Sequence, residues 1–368
     1  MDAPLLPAYG AATLADVLPS IASRWGFGDD VLGLPDADRW VVLLVDGLGE
    51  RLLRARADRA PYLAGLLRDR RLTSGVPSTT ATSLTSLGTG LAPGQHGIAG
   101  YSFRDPFGGG LLNALTWKDG LSALDVQPRL TVFERLEKAG VATSNVGLKR
   151  FDGSGLTTAA FRGARFVGCP EEADVARRIE LAVDAALAGP RTLVYLYERQ
   201  LDHCGHGEGW RSDAWADTLA FVDGLARALR LALPADVRLV ITGDHGMVDV
   251  PRERQVVVEH EPDLLADLTL VAGEGRLRQL YTDRPDAVAR RWSDRLGASA
   301  WVRTRDEAVD EGWFGPVSAQ LLPRFGDVLA AMASDDAVMT LSQPKELSLV
   351  GMHGSLTPDE MRVPLLVD

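Results

Sequence analysis

Hydrophobic and polar positions fall in blocks along this chain, and the pattern of the blocks changes once. Residues 40–45, WVVLLV, form an unbroken apolar run of strand length, as a sheet covered on both faces requires. Ahead of it, residues 12–25 have the spacing of a short amphipathic helix. A basic helical stretch follows from Glu50 to Arg68 and should break at Pro61, whose ring opposes a continuous helix. Leu72 to Val76 fits a short strand. From Ala81 to Leu91, the residues Ala81, Leu84, Leu87 and Leu91 recur at helical spacing with small residues between them. That predicts a tightly buried helix, weakened at its end by Gly88 and Gly90 and stopped by Pro93.

The rhythm repeats with a helix near 130–139, a strand near 141–147, a helix near 171–188 and a strand near 191–197. A helix near 211–232 then leads to a strand at 237–242. Strands alternating with helices predict an α/β fold: a mostly parallel central sheet with helices on both faces. After residue 250 the pattern changes. DLTLVAG, RLRQLYTD and SAWVRT are short strand candidates around a helix near 285–296, which predicts a small α+β insertion over 250–340. ELSLVGMHG reads as a strand returning the chain to the core, which would then comprise 1–249 and 341–368.

The chain has 368 residues, 46% of them hydrophobic, enough for one large domain or a domain with an insertion. Its formal charge of -11 argues against a nucleic-acid polymer as partner, since such a partner needs a basic face. A small phosphate ester is not excluded, because bound divalent metals invert the local field. No apolar stretch reaches the length of a membrane span, and the first basic residue is Arg24, unlike a secretory leader. The expectation is a cytoplasmic protein with no membrane partner. The only cysteines, Cys169 and Cys204, fit a reducing compartment.

Chemistry concentrates after the apolar runs. Asp46 follows VVLLV. Asp202 and His206 lie in YERQLDHCGHGEG. Asp244 and His245 follow VRLVITG, and His353 lies in VGMHGSLTP. Open α/β sheets bind ligands at the carboxyl ends of their strands, where these residues fall. Three Asp and three His make two mixed N/O sites, which suit zinc, with manganese or iron also compatible. Asp202 and His206 are four apart, so one helical turn puts both on a face. Asp244 and His245 are adjacent and need a turn to splay them, which Gly243 and Gly246 permit. Between the first two groups, VPSTTATSLTSLGTG offers hydroxyl nucleophiles: Ser78, Thr79, Thr80 or Thr82, one of which could be the N-cap of the following helix. Two metals sharing one hydroxyl nucleophile suit displacement at phosphorus.

In their order, strand–Asp46–Gly47, PSTTATS…TGLAPGQHGI, D-x-x-G-H, G-D-H-G and His353–Gly354 resemble the alkaline phosphatase superfamily. Within it they are most similar to the type I phosphodiesterase and nucleotide pyrophosphatase branch. The resemblance runs from Asp46 to His353. It implies one divalent metal on Asp202, His206 and His353, and a second on Asp46, Asp244 and His245 with the nucleophile bridging toward it. It also selects Thr80, which lies ten residues ahead of the Gly90 of T-G-L. The implied reaction is hydrolysis of a phosphodiester or pyrophosphate bond through a phosphothreonine, on a small phosphate ester such as a nucleotide. His203 is left as a supporting or structural neighbour, His96 as a packing or loop-bonding residue, and His260 as solvated.

One position departs from the branch. Where it carries an Asn that binds a phosphoryl oxygen, this chain has Tyr101, whose hydroxyl can also donate. Asn113 is an alternative donor, and Lys118 lies in the same aromatic, glycine-rich loop at 101–120, which reads equally as a substrate lid or as an ordinary surface loop. Arg104, Lys149 and Arg150 are further cations without a place. The alternatives are a phosphomonoesterase or phosphonate hydrolase on the same scaffold, and a non-catalytic metal-binding protein. The second has no reason to keep all six ligands and a hydroxyl. A phosphoglycerate mutase would use serine and a large second domain.

Overall fold

In a computed structural model, which describes residues 3–117 and 120–368, a six-stranded sheet forms the centre. Its first five strands are β1 (Arg39–Val45), β2 (Ala142–Leu148), β3 (Arg165–Cys169), β4 (Thr192–Glu198) and β5 (Val237–Gly243). All five run parallel. The run at 40–45 is apolar throughout because both faces are covered. Val41, Leu43 and Val45 pack into one core with Ala182, Trp215, Leu219 and Leu225, while Trp40, Val42 and Leu44 pack into a second with Leu84, Leu87, Phe133 and Phe161. Alternate side chains of a strand point to opposite faces, so one strand feeds both cores.

The helix predicted over 81–91 is α1 (Thr80–Thr89), closed by Gly90 in the left-handed region. The other helices that matter to the site are α2 (Gly155–Phe161), α4 (Gln200–Glu208) and α5 (Asp213–Ala232), with α3 (Val175–Ala186) between α2 and α4. The stretch 50–68 is broken as its sequence dictates, into helices Glu50–Ala55 and Pro61–Leu66 with Pro61 at the first turn. Strand β3 and helix α2 have no counterpart in the sequence reading. β3 lies at the sheet edge and is only partly buried, so RFVGC lacks a strand's apolar signature.

Beyond β5, an antiparallel sheet is built from β6 (Leu270–Glu274), β7 (Leu277–Tyr281), β8 (Ala300–Thr304) and β9 (Val328–Met332), in the order β6-β7-β9-β8. Helix α6 (Pro285–Leu296) packs on it through Val288 and Trp292. The expected strand ELSLVGMHG is mostly not one: Pro344–Ser348 is a 3-10 turn, and only Gly351–Met352 pairs, with Val248–Asp249. Pro344 removes a donor and fixes a turn dihedral, so the strand cannot begin there. The chain ends in β10 (Leu366–Val367), antiparallel on β5, giving the central order β10-β5-β1-β4-β2-β3. Among the described residues, no helix is long and apolar enough to cross a membrane.

Candidate active site

The carboxyl ends of β1, β4 and β5 deliver the site. Asp46 is the first residue after β1, Asp244 the first after β5, and Asp202 sits in the first turn of α4, just beyond β4. Gly47 turns the chain after β1 with φ +76, and a Cβ there would stand 3.0 Å from Asp202 Cα and Cβ. Only glycine allows that turn and that approach together. Gly243 and Gly246 act differently from the splaying turn expected of them. Neither has positive φ; a Cβ on Gly243 would lie 2.2 Å from the Leu48 carbonyl oxygen and one on Gly246 1.9 Å from that of Asp359.

His206 Nε2 stands 3.3 Å from Asp202 Oδ2, and His353 Nε2 3.9 Å from Asp202 Oδ1. Ligand atoms of Asp202, His206 and His353 lie within 4.8 Å of one another. A second trio at the same spacing is Asp46, Asp202 and His245. Asp244 joins it at one remove, with Oδ2 3.3 Å from His245 Nε2. Asp202 therefore stands between the two clusters. The rings of His245 and His353 stack at 3.6 Å.

All three imidazoles are oriented alike. His206 Nδ1 is 2.7 Å from the Gly351 carbonyl oxygen, His245 Nδ1 2.9 Å from that of Gly246, and His353 Nδ1 3.0 Å from that of Ser78. A carbonyl oxygen only accepts, so each Nδ1 donates and each Nε2 presents a lone pair. Burial, with the neighbouring His245 and His206, pushes His353 well below the ordinary imidazole range.

Thr80 opens α1, and its Oγ1 lies 3.4 Å from Asp46 Oδ1 and 3.3 Å from His245 Nε2. Its rivals are otherwise engaged. Ser78 Oγ donates to the Ser355 carbonyl oxygen at 2.7 Å, and Thr82 Oγ1 to that of Ile98 at 3.2 Å. Thr79 holds the N-cap position, but its hydroxyl donates to Glu274 Oε2 at 3.3 Å rather than capping the helix.

The cluster fits divalent metal on its own evidence. Asp202 Oδ1 and Asp244 Oδ2 are buried without a hydrogen-bond partner among the described residues. Burial, with Asp244 and Asp202 close by, drives the Asp46 carboxyl well above its usual range, and burial raises Asp244 as well. Orphaned oxygens, crowded carboxylates and aligned imidazole lone pairs are costly together unless a cation occupies their centre.

A pocket of about 600 Å³ opens from this cluster. Tyr101 lies in its wall. Asn113 stands beside it: its Oδ1 accepts from the backbone N–H of Leu115 and Thr116, closing the loop, and its side chain also hydrogen-bonds the Tyr101 hydroxyl. Strands Ser102–Arg104 and Leu111–Asn113 pair as a hairpin in that loop, and Lys118 lies outside the described residues. Arg104 stacks on Tyr281 instead of facing the site. Arg150 and Arg199 reach the pocket but share Glu172, at 3.4 and 2.8 Å. His203 lines the pocket from an exposed position, and His260 is exposed. His96 is fully buried, its Nε2 on Ser86 Oγ at 2.9 Å and its Nδ1 accepting from the Ile98 N–H.

Two contributors escaped the sequence reading. Tyr197 donates its hydroxyl to Asp46 Oδ2. Glu274, at the end of β6, places a buried carboxyl beside Thr79 and 3.6 Å from His353 Nδ1. Burial and the nearby Glu346 raise its pKa well above the usual range. Tyr197 alternates with Tyr195 in VYLYE, which marks strand faces and nothing more.

Metal-ready donors around a helix-terminal hydroxyl, at strand ends of an α/β sheet, define a metal-dependent hydrolase of phosphoric esters. The profile of the type I phosphodiesterase / nucleotide pyrophosphatase family matches residues 40–356, and the chain belongs to that family. No curated relative matches it in sequence. Among solved structures, it is similar to murine ectonucleotide pyrophosphatase/phosphodiesterase 5, an inactive form in complex with AMP. The identity is 17%, with 89% of this chain and 87% of that one covered and a TM-score of 0.71. The human counterpart gives 18%, 89%, 87% and 0.68. Phosphonoacetate hydrolase from Sinorhizobium meliloti, in complex with phosphonoformate, gives 19%, 90%, 90% and 0.69.

Proposed function

We propose that this enzyme cleaves phosphodiesters of small organic molecules, with Thr80 as nucleophile and two zinc ions held by Asp46, Asp202, His206, Asp244, His245 and His353. The observation that carries this reading is the place of Thr80 Oγ1: at the start of α1, within 3.4 Å of both Asp46 and His245. Bound zinc supplies Lewis acidity, which lowers the pKa of the hydroxyl and offsets charge on the phosphoryl oxygens. Thr80 Oγ1 attacks phosphorus in line, the P–O bond to one ester group breaks, and that group leaves with a proton as an alcohol. Water then attacks the phosphothreonine, returning the hydroxyl and releasing a monoester. The free N–H groups of the first turn of α1 would stabilise the phosphoryl oxygens. Tyr101, in the pocket wall, would donate a further hydrogen bond.

Preference for diesters follows from the walls. The two guanidinium groups that reach the pocket share one carboxylate, Glu172, which leaves Lys345 beside them but no bidentate guanidinium pair to clamp a dianion. Phe151, Phe161, Phe166, Tyr195 and Tyr197 offer an aromatic surface to an ester's organic group. Zinc-loaded protein should hydrolyse bis-4-nitrophenyl phosphate with a higher kcat/KM than 4-nitrophenyl phosphate. The opposite order would replace this reading with a phosphomonoesterase.

A further inference from the structure

A second row of pocket residues lies deeper than the metal cluster and has a polar character of its own. Tyr195 is two residues before Tyr197 on β4, on the same face, and their ring centroids are 6.5 Å apart. In the sheet register, Tyr195 pairs with Asn145 of β2, and Asn145 pairs with Phe166 of β3. Register partners on parallel strands point the same way, so Phe166, Asn145 and Tyr195 form one row. All three line the pocket. Next along β2 on this face comes Gly147, where an added Cβ would meet nothing nearer than Phe166 at 3.6 Å. The missing side chain leaves the way open from the cluster to the row.

The row contains a buried group without a partner. The Tyr195 hydroxyl has no hydrogen-bond partner among the described residues, although the residue is only 2% exposed. Phe161 stacks on its ring at 4.2 Å, a contact that phenylalanine would make equally well. The hydroxyl is thus all that tyrosine adds here, and the protein leaves it unsatisfied at a cost. Its register neighbour on β2 is Asn145, 4% exposed, and Leu84, Leu156, Phe161 and Phe166 line the same pocket, together with Ser154 and Thr157.

Resting on the phosphodiesterase reading, we infer that Tyr195 and Asn145 form a specificity subsite. It takes the organic group of the ester as a flat aromatic ring whose far edge carries hydrogen-bonding atoms. The ring lies over Gly147 against Phe161 and Phe166, and its far edge meets the Tyr195 hydroxyl and the Asn145 amide. The ring centroids of Tyr197, whose hydroxyl holds Asp46, and Tyr195 are 6.5 Å apart, a step about the size of one substituted ring.

Thr80→Ala protein loaded with zinc allows binding to be read without turnover. Calorimetry should show 4-carbamoylphenyl methyl phosphate binding about 10-fold more tightly than 4-methylphenyl methyl phosphate, the worth of one or two buried hydrogen bonds. Adding Tyr195→Phe should erase that advantage and leave the methyl compound unchanged. Adding Gly147→Val should weaken both aryl ligands and leave dimethyl phosphate unchanged. Equal affinity of the two aryl ligands, or an equal effect of Tyr195→Phe on both, overturns the subsite. Failure of the Thr80-containing enzyme to hydrolyse the carbamoyl ester would instead count against the phosphodiesterase reading, whatever the binding shows.

Discussion

Tyr197 donates its hydroxyl to Oδ2 of Asp46, leaving Oδ1 of the same carboxylate to face Thr80 and His245. The phenol so fixes which oxygen addresses the reacting centre. Removing such an orienting partner typically weakens metal binding 10- to 100-fold. Tyr197→Phe should therefore lower zinc affinity by about that factor, read by competition with a chelator of known affinity. Unchanged affinity would show that Asp46 is held without it.

Thr80→Ala should reduce turnover of bis-4-nitrophenyl phosphate by at least about 1000-fold, since it removes the reacting atom. Zinc content and melting temperature should stay near wild type, because the side chain packs little. Thr80→Ser should keep part of the activity. An active Thr80→Ala together with a dead Thr79→Ala would move the nucleophile by one residue.

Chelation should abolish activity, and zinc should restore it at two ions per chain, roughly 4 Å apart as in two-metal phosphoryl sites. Metal analysis and a zinc-soaked crystal structure check both figures. One ion per active chain would contradict the paired assignment.

Tyr101→Phe should lower kcat/KM for diesters roughly 10- to 1000-fold, the range for losing one donor to a transition-state oxyanion. Steady-state kinetics with folded, zinc-replete protein decides it. No change would remove that hydroxyl from the reaction.

His96 links stability to pH away from the chemistry. Burial, with Arg324 nearby, lowers its pKa from 6.5 to about 3. Below pH 6.5 the unfolded chain takes up a proton that the folded chain refuses, so stability falls as pH drops from 6.5 toward 3. The slope approaches about 1.4 kcal/mol per pH unit. Between pH 6.5 and 4.5, wild type should thus lose about 2 kcal/mol more than His96→Asn, measured by denaturant unfolding at each pH. Parallel pH profiles would mean that the folded protein binds the His96 proton as readily as the unfolded chain does.

Much of the architecture could be read because the central strands are buried on both faces. WVVLLV and VRLVITG carry that fact in their own residues, and Asp46, Asp244 and His245 follow them directly, whereas His353 follows only the two-residue strand Gly351–Met352. The missed pieces depend on tertiary neighbours. β9, VLAAM, is a five-residue run with two alanines at its centre, and its burial is set by β7 and β8 on either side. Arg276 and Arg278 look like surface charges in RLRQLY, yet both are fully buried because Glu360 and Glu346 meet them. Tyr195 and Tyr197 read as core, and their hydroxyls gain meaning only once β1 and β2 stand beside β4. The turn that Asn113 Oδ1 closes by accepting from Leu115 and Thr116 is likewise invisible in composition.

The Nδ1 bond from His353 to the Ser78 carbonyl joins positions 275 residues apart and ties the last ligand to the segment before Thr80. During synthesis, Asp46 and Thr80 leave the ribosome long before their partner exists. Domains made in this vectorial way gain such long-range contacts last. On the proposed assignment the Asp202–His206–His353 site is therefore completed late in the life of the chain, and a nascent or truncated polypeptide lacking His353 would hold Thr80 beside one metal site rather than two.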